Sequence, residues 1–152
     1  MPDVLIRPAN QDDLLGMLDL YRHLHRDDPA PTPEAARTAW AALMDSRLVH
    51  VIVAEAAGAL VSSCTLVIVP NLTRGAKPYG VIENVVTHQD HRRTGLGRAV
   101  LSFALATAWE ADCYKVMLAT GSRREKTLRF YEETGFVRGA KTHFEARPPG
   151  RA

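Results

Sequence analysis

Between Val85 and Leu101 the sequence VVTHQDHRRTGLGRAVL carries an apolar strand pattern through a basic, glycine-bearing turn and straight into an apolar helix pattern. A helix that begins this way offers backbone N–H groups with no intrahelical acceptor, and the positive end of its dipole lies beside them. Phosphate is the ligand such a start suits. Gly95 and Gly97 remove two Cβ atoms where that ligand would approach the main chain. The dinucleotide fingerprint G-x-G-x-x-G fails because Val100 holds its third glycine position, and no G-K-S or G-K-T completes a nucleoside triphosphate loop. The alternative is a tight strand-to-helix connection with solvated arginines.

Two further side chains have the types that proton transfer needs. Glu83 interrupts the apolar run Val81-Ile82-Glu83-Asn84-Val85-Val86, whose neighbours imply substantial desolvation; that would raise its pKa toward neutrality and suit it to act as a base. It is otherwise an edge-facing or structurally hydrogen-bonded carboxylate. Tyr131 is a candidate acid, since a phenol with a reference pKa of about 10 can donate a proton to a basic leaving group. Three residues after Leu128, it also fits a core aromatic on an amphipathic helix. Arg123, Arg124, Lys126 and Arg129 read as a solvated charged face, and Trp40, Trp109 and the methionines as core or groove lining. His23 with His25, and His88 with His91, lack partner ligands at metal spacing, so no metal is expected. Neither Cys64, in a strand, nor Cys113, at a helix end, points to a covalent intermediate.

The elements that must hold these residues alternate along the chain. Val4 to Arg7 reads as a strand, Asn10 as the cap of a helix carrying Leu14, Leu18 and Tyr21, and Thr32-Pro33-Glu34 as the start of a second helix ending near Ser46. Val49 to Glu55 and Leu60 to Val69, joined through Ala57-Gly58, predict an antiparallel hairpin stopped by Pro70. After a turn-rich segment, Val81 to Thr87 predicts a strand and Thr94 to Trp109 a long helix that must pack on a sheet. Tyr114 to Thr120 predicts a buried strand, Ser122-x-x-Glu125 a capping box opening a helix at Ser122, and Gly135 that helix's stop. The segment FVRGAKTHFEA can supply one or two last strands. The expected organisation is one domain over 1–147 with a flexible tail over 148–152.

Arg92-x-x-Gly95-x-Gly97 resembles the R/Q-x-x-G-x-G/A signature of the GNAT superfamily of acetyl-CoA-dependent N-acetyltransferases, and F-Y-E-E-T-G-F over 130–136 resembles its late F-Y-x-x-x-G-F segment. Within it, I-E-N-V-V, C-Y-K-V-M-L and R-F-Y-E-E-T-G-F look most like the glucosamine-phosphate N-acetyltransferases, over Ile82 to Phe136. The resemblance implies an α/β GNAT fold: a twisted, mainly antiparallel mixed sheet with one splayed parallel strand pair and helices on both faces. It implies that the strand before the motif bulges and parts from its parallel neighbour. Backbone groups of Val85, Val86 and Thr87 would then meet pantetheine, with one N–H polarising the thioester carbonyl. Arg92, Arg93, Thr94, Gly95, Leu96, Gly97 and Arg98 would hold the pyrophosphate. Glu83 matches the catalytic glutamate and Tyr131 the acid, and the amine would attack directly within a ternary complex. Acetyl-CoA is the implied co-substrate and a small-molecule primary amine the acceptor, with an amino-sugar phosphate leading. Thr127 stands where many relatives carry an asparagine.

The whole chain sets bounds on these readings. Its 152 residues hold 46% hydrophobic and 24% charged residues, enough for one real core and far from the composition of disorder. A formal charge of +2 and no recognised aromatic-basic module argue against a nucleic-acid partner. No stretch approaches the roughly 18 apolar residues of a membrane span, and two cysteines outside any paired motif fit a reducing cytoplasm. A non-catalytic acyl-CoA sensor or interaction module is the alternative to an enzyme, and monomer or homodimer stays open.

Overall fold

Strand β1 (Val4–Pro8) and strand β2 (Val49–Ala56) pair antiparallel, with the first two helices between them in sequence. Asn10 forms a capping box with Asp13 around the short 3₁₀ turn Gln11–Asp13, and α1 (Leu14–Tyr21) follows directly. Thr32 caps α2 (Pro33–Asp45), its hydroxyl accepting from Ala35 N at 3.2 Å with Pro33 in the first turn, as that sequence dictates. Ala57-Gly58 joins β2 to β3 (Ala59–Val69) at positive φ, 50° and 77°, the backbone that a tight hairpin turn requires. The turn-rich segment forms one short helical turn, α3 (Thr73–Ala76), with Arg74 and Gly75 at positive φ. Strand β4 (Tyr79–Thr87), helix α4 (Leu96–Glu110) and strand β5 (Val116–Leu118) complete the sheet. Its strand order is β1-β2-β3-β4-β5, antiparallel except for the parallel β4–β5 pair.

Residues 3–150 are described in the computed structural model, and the chain divides into two compact units, Met1–Leu118 and Ala119–Ala152. In the first unit both faces of the sheet are covered. Met17, Leu20 and Trp40 from α1 and α2 form one core with Val51, Val53 and Val86, while α4 packs across β2, β3 and β4. The ladder pairs Ile52 with Cys64 and Leu66 with Ile82, all buried, as are Val100, Leu101 and Ala104 of α4. Gly80 is buried because β4 approaches its neighbours closely there: a Cβ would sit 3.0 Å from Leu66 Cδ1 and 3.1 Å from Val116 Cγ2.

The second unit contains α5 (Glu125–Glu133), which ends at Thr134 with Gly135 at φ 108°. Three expectations change here and at the unit's border. The helix begins at Glu125 rather than Ser122, because Ser122 Oγ accepts from Arg124 N at 3.3 Å and the Glu125 carboxylate is taken by Arg138. The strand over 114–120 shrinks to three half-buried residues, since its ladder with β4 covers only Gly80, Val81 and Ile82. No strand forms over 136–146 among the described residues. Arg138 is held by Glu125 and Glu132, Gly139 adopts φ 73°, and the chain turns where an extended segment was expected. Val137 and Phe144 consequently stay exposed. Of the expected tail, residues 148–150 belong to no helix or strand, and 151–152 lie outside the described residues.

Candidate active site

The β3–β4 register shifts between Ser63, opposite Val86, and Thr65, opposite Glu83. Cys64 therefore faces two residues, Asn84 and Val85, and β4 bulges there. Asn84 adopts φ 53°, the left-handed region that suits asparagine better than most residues. The parallel ladder to β5 stops just before the bulge, at Ile82 opposite Leu118. From Glu83 to Thr87, the β4 edge away from β3 thus has no strand partner among the described residues.

Main-chain directions along this edge follow from strand alternation. Val86 O accepts from Ser62 Oγ at 2.9 Å and His88 N donates to Val61 O at 2.8 Å, so both turn toward β3. The amide groups of Val85 and Thr87 then point to the open edge. Val86 differs from its sequence-based role, because its side chain lies in the core and its carbonyl is engaged on the β3 side.

Past β4, the 3₁₀ turn Gln89–His91 is capped by His88 Nδ1, which accepts from Asp90 N at 3.1 Å, and the Thr94 hydroxyl donates to His91 O. Arg93 at φ 62° and Gly95 at φ 85° swing the chain into α4, whose buried Leu96 anchors the turn. Gly95 is the helix cap and has no side chain to bond the first turn. The first helical bond is Ala99 N to Gly95 O at 3.0 Å, so Leu96 and Gly97 have N–H groups without an intrahelical acceptor. Arg92 and Arg93 are exposed beside them. The Arg92 guanidinium also reaches Thr87 O from Nε and His23 O from Nη2, both at 3.3 Å, joining the turn to β4 and to the chain leaving α1. An open strand edge followed by an uncapped, arginine-flanked helix start fits a donor that combines an amide-bearing arm with a diphosphate.

Glu83 is exposed, which corrects the expected desolvation. Alternation buries Ile82 against the core, and Glu83 is the first β4 residue beyond the β5 ladder. Thr65, its ladder partner, is 7% exposed. Cys64 is fully buried and desolvation pushes its thiol up to about 12; burial, then Asp112, raises that of Cys113. Neither is poised as a thiolate. In the second unit Tyr131 is half-buried on α5, edge-on to Phe136 with ring centroids 6.3 Å apart.

Sequence reasoning placed Arg92 in the turn that would hold the pyrophosphate, but its bonds to two carbonyls have no sequence signal. Tyr21 was read as an apolar position of α1, and it packs half-buried against the core that includes Val86 of β4. Among the described histidines, the His23 ring lies tilted against that of His88 with centroids 4.0 Å apart, and His88 meets His91 edge-on at 5.5 Å. No group of three or more His, Cys, Asp or Glu among the described residues is placed to hold a metal ion, and no described helix is long and apolar enough to cross a membrane. A groove of about 510 Å³ runs between α1 and the β2–β3 turn, from Arg7 to His88, without reaching Glu83 or the α4 turn.

Comparison with known proteins bears on these features. The acetyltransferase (GNAT) family matches residues 16–136, which span both units. A glucosamine 6-phosphate N-acetyltransferase of Trypanosoma brucei brucei is 34% identical over 134 residues, 88% of this chain and 89% of that protein. Among solved structures, a putative acetyltransferase from Agrobacterium tumefaciens is 44% identical with a TM-score of 0.90, covering 95% of this chain and 99% of that one. The glucosamine-6-phosphate N-acetyltransferase of Arabidopsis thaliana shares the fold at 22% identity and a TM-score of 0.83, with coverage of 96% and 98%.

Proposed function

This chain belongs to the acetyltransferase (GNAT) family and is an acetyl-CoA-dependent N-acetyltransferase, and we propose that its acceptor is the amine of an amino-sugar phosphate, glucosamine 6-phosphate first. The observation that carries the site assignment is the open β4 edge leading into the uncapped start of α4. On this reading residues 1–147 act as one catalytic domain, an organisation supported by a family match that spans both units.

Each group has a role that its surroundings suit. The N–H groups of Leu96 and Gly97 bond the diphosphate, in a turn that runs from Arg92 through Arg98 and carries the helix dipole's positive end. Val85 and Thr87 present main-chain groups to the pantetheine arm, and an N–H among them polarises the acyl carbonyl. When bound, the donor supplies the activated acetyl group. Glu83 is open to an entering amine and takes its proton, directly or through water. Tyr131, in the F-Y-E-E-T-G-F segment, protonates the departing thiolate. Cys64 and Cys113 are both free and buried, which supports direct transfer without a cysteine intermediate and a reducing, cytoplasmic setting.

The test is free-thiol release from acetyl-CoA in the presence of glucosamine 6-phosphate, with aminoglycosides, polyamines, amino acids and peptides as competitors for the assignment. The amino-sugar phosphate is expected to give the highest kcat/KM. A higher value for another amine class reassigns the acceptor, and acetyl-CoA binding without turnover of any amine favours the sensor.

A further inference from the structure

His88 stands between the open edge of β4 and the start of α4, and nothing in the proposed chemistry uses it. Its N–H donates to Val61 O at 2.8 Å, which fastens it to β3, while its carbonyl accepts from His91 N at 2.9 Å and its Nδ1 from Asp90 N at 3.1 Å. We propose that His88 is a positioning residue for donor binding: its unprotonated Nδ1 caps the turn that carries β4 into α4, and proton uptake there releases the turn and weakens the hold on acetyl-CoA. The inference rests on the reading of the α4 start as the diphosphate site.

The first ground is the cap itself. An imidazole nitrogen accepts a hydrogen bond only while it lacks a proton, so this cap exists in one charge state of the ring. A protonated Nδ1 would set its N–H against that of Asp90. The carboxylate of the same residue, with Oδ2 3.9 Å from Nδ1, is the acceptor to which it would turn. A second ground is what the turn leads to: Arg92 N reaches Gln89 O at 3.5 Å, the Thr94 hydroxyl bonds His91 O, and Arg93 and Gly95 at positive φ bring the chain to the Leu96 and Gly97 amides. Finally, the ring is held on two sides, tilted against His23 at 4.0 Å between centroids and edge-on to His91 at 5.5 Å, so it does not turn freely to accommodate a proton. Desolvation first, and then His88 and Arg92, hold the His23 imidazole below its ordinary value, which favours a neutral pair. The charged groups about the pair are Asp90, Arg26 and Arg92, with Asp12 and Asp19 in the adjoining groove, where Arg7 is taken by Asp13 and Glu55.

The experiment compares His88→Asn and His88→Ala with wild type, reading acetyl-CoA affinity and melting temperature from about pH 8 to about pH 5, across which an imidazole changes charge. Asparagine places Oδ1 one bond beyond Cγ, as histidine places Nδ1, and it caps at every pH in that range. At the alkaline end, wild type and His88→Asn should bind acetyl-CoA within about twofold of each other, and His88→Ala about fivefold more weakly, the size of a lost cap. The three melting temperatures should there agree within a few degrees. On acidification wild type should fall toward His88→Ala while His88→Asn keeps its advantage, and the ratio to His88→Asn cancels any titration of the donor's own phosphate. A constant ratio of wild type to His88→Asn overturns the inference, and so does an asparagine that binds no better than alanine. A wild type that tightens in acid relative to His88→Asn overturns it too, marking the ring as a charge that draws the diphosphate. If His88→Ala does not fold, the ratio to His88→Asn decides. Should wild type bind no acetyl-CoA at any pH, the diphosphate reading falls and takes this inference with it; binding with a constant ratio removes the inference alone.

Discussion

A carboxylate that accepts a proton from an entering amine must be reachable by it, and Glu83 is: it lies past the end of the β5 ladder, exposed, with Thr65 across from it on β3. Glu83→Gln removes the acceptor and leaves the shape. Below the pKa of the amine, most substrate arrives protonated and turnover should fall by about 10²-fold. Above it, the amine arrives ready and the deficit should shrink. Steady-state kinetics of both proteins across that pH range check this, and an equal deficit at every pH would remove Glu83 from the role of base. The proposal of Glu83 as base rests on one acid interrupting an apolar strand, a pattern legible in the sequence. Its exposure was not, because the point where the β5 ladder ends, at Ile82, is set by strand pairing and leaves no mark in residue type. For the bulge that follows, Asn84 is the nearest thing to a signal, an asparagine being among the few side chains tolerant of positive φ.

At the scale of elements, the start of α4 is the proposed diphosphate site, since Gly95 caps it without a side chain and Leu96 and Gly97 follow with N–H groups that have no intrahelical acceptor. Acetyl-CoA at about 100 times its Kd should therefore raise the unfolding free energy by about 2.7 kcal/mol. Gly97→Asp places a carboxylate in that first turn. The helix dipole tolerates it, so the ligand-free melting temperature should hold within a few degrees, whereas the increment from acetyl-CoA should vanish. Calorimetric melting with and without ligand reads both, and an undiminished increment would place the diphosphate elsewhere. The helices and strands with explicit end signals, such as Thr32-Pro33 and Ala57-Gly58, were read to within a residue or two. The capping box at Ser122 and the strands after Phe136 were misread for a common reason. Arg138 draws both Glu125 and Glu132 to itself, and a contact between residues 13 apart is invisible to a pattern of neighbours.

At the scale of the molecule, the edge strand β1 is tied in by charge. Arg7 donates to Asp13 at 2.7 and 2.9 Å and to Glu55 at 2.7 Å, linking β1, the turn before α1, and β2. Hydrogen bonding to Arg7 holds the Asp13 carboxyl below its ordinary value of 3.8, against its own desolvation. A group depressed in this way stabilises the fold above its unfolded pKa, and the contribution is lost as pH falls through the folded value. Asp13→Asn should lower stability by about 2 kcal/mol at neutral pH, and the gap from wild type should close on acidification below about pH 4. Denaturant titrations at several pH values test this; a gap that persists in acid would assign the loss to packing.

The spatial order of the sheet, β1-β2-β3-β4-β5, is also its order along the chain. The β2–β3 pairing closes through the Ala57-Gly58 turn alone, so little loop entropy opposes it and it is the natural first event of folding. The β4–β5 pairing must wait for the whole of α4 to be laid down between its strands, and only three residue pairs then hold it. Least fastened of the four pairings, it is also the seam that opens most readily in the native state. The edge proposed to receive the acyl donor thus lies at the end of the sheet where parting two strands disturbs least of the rest.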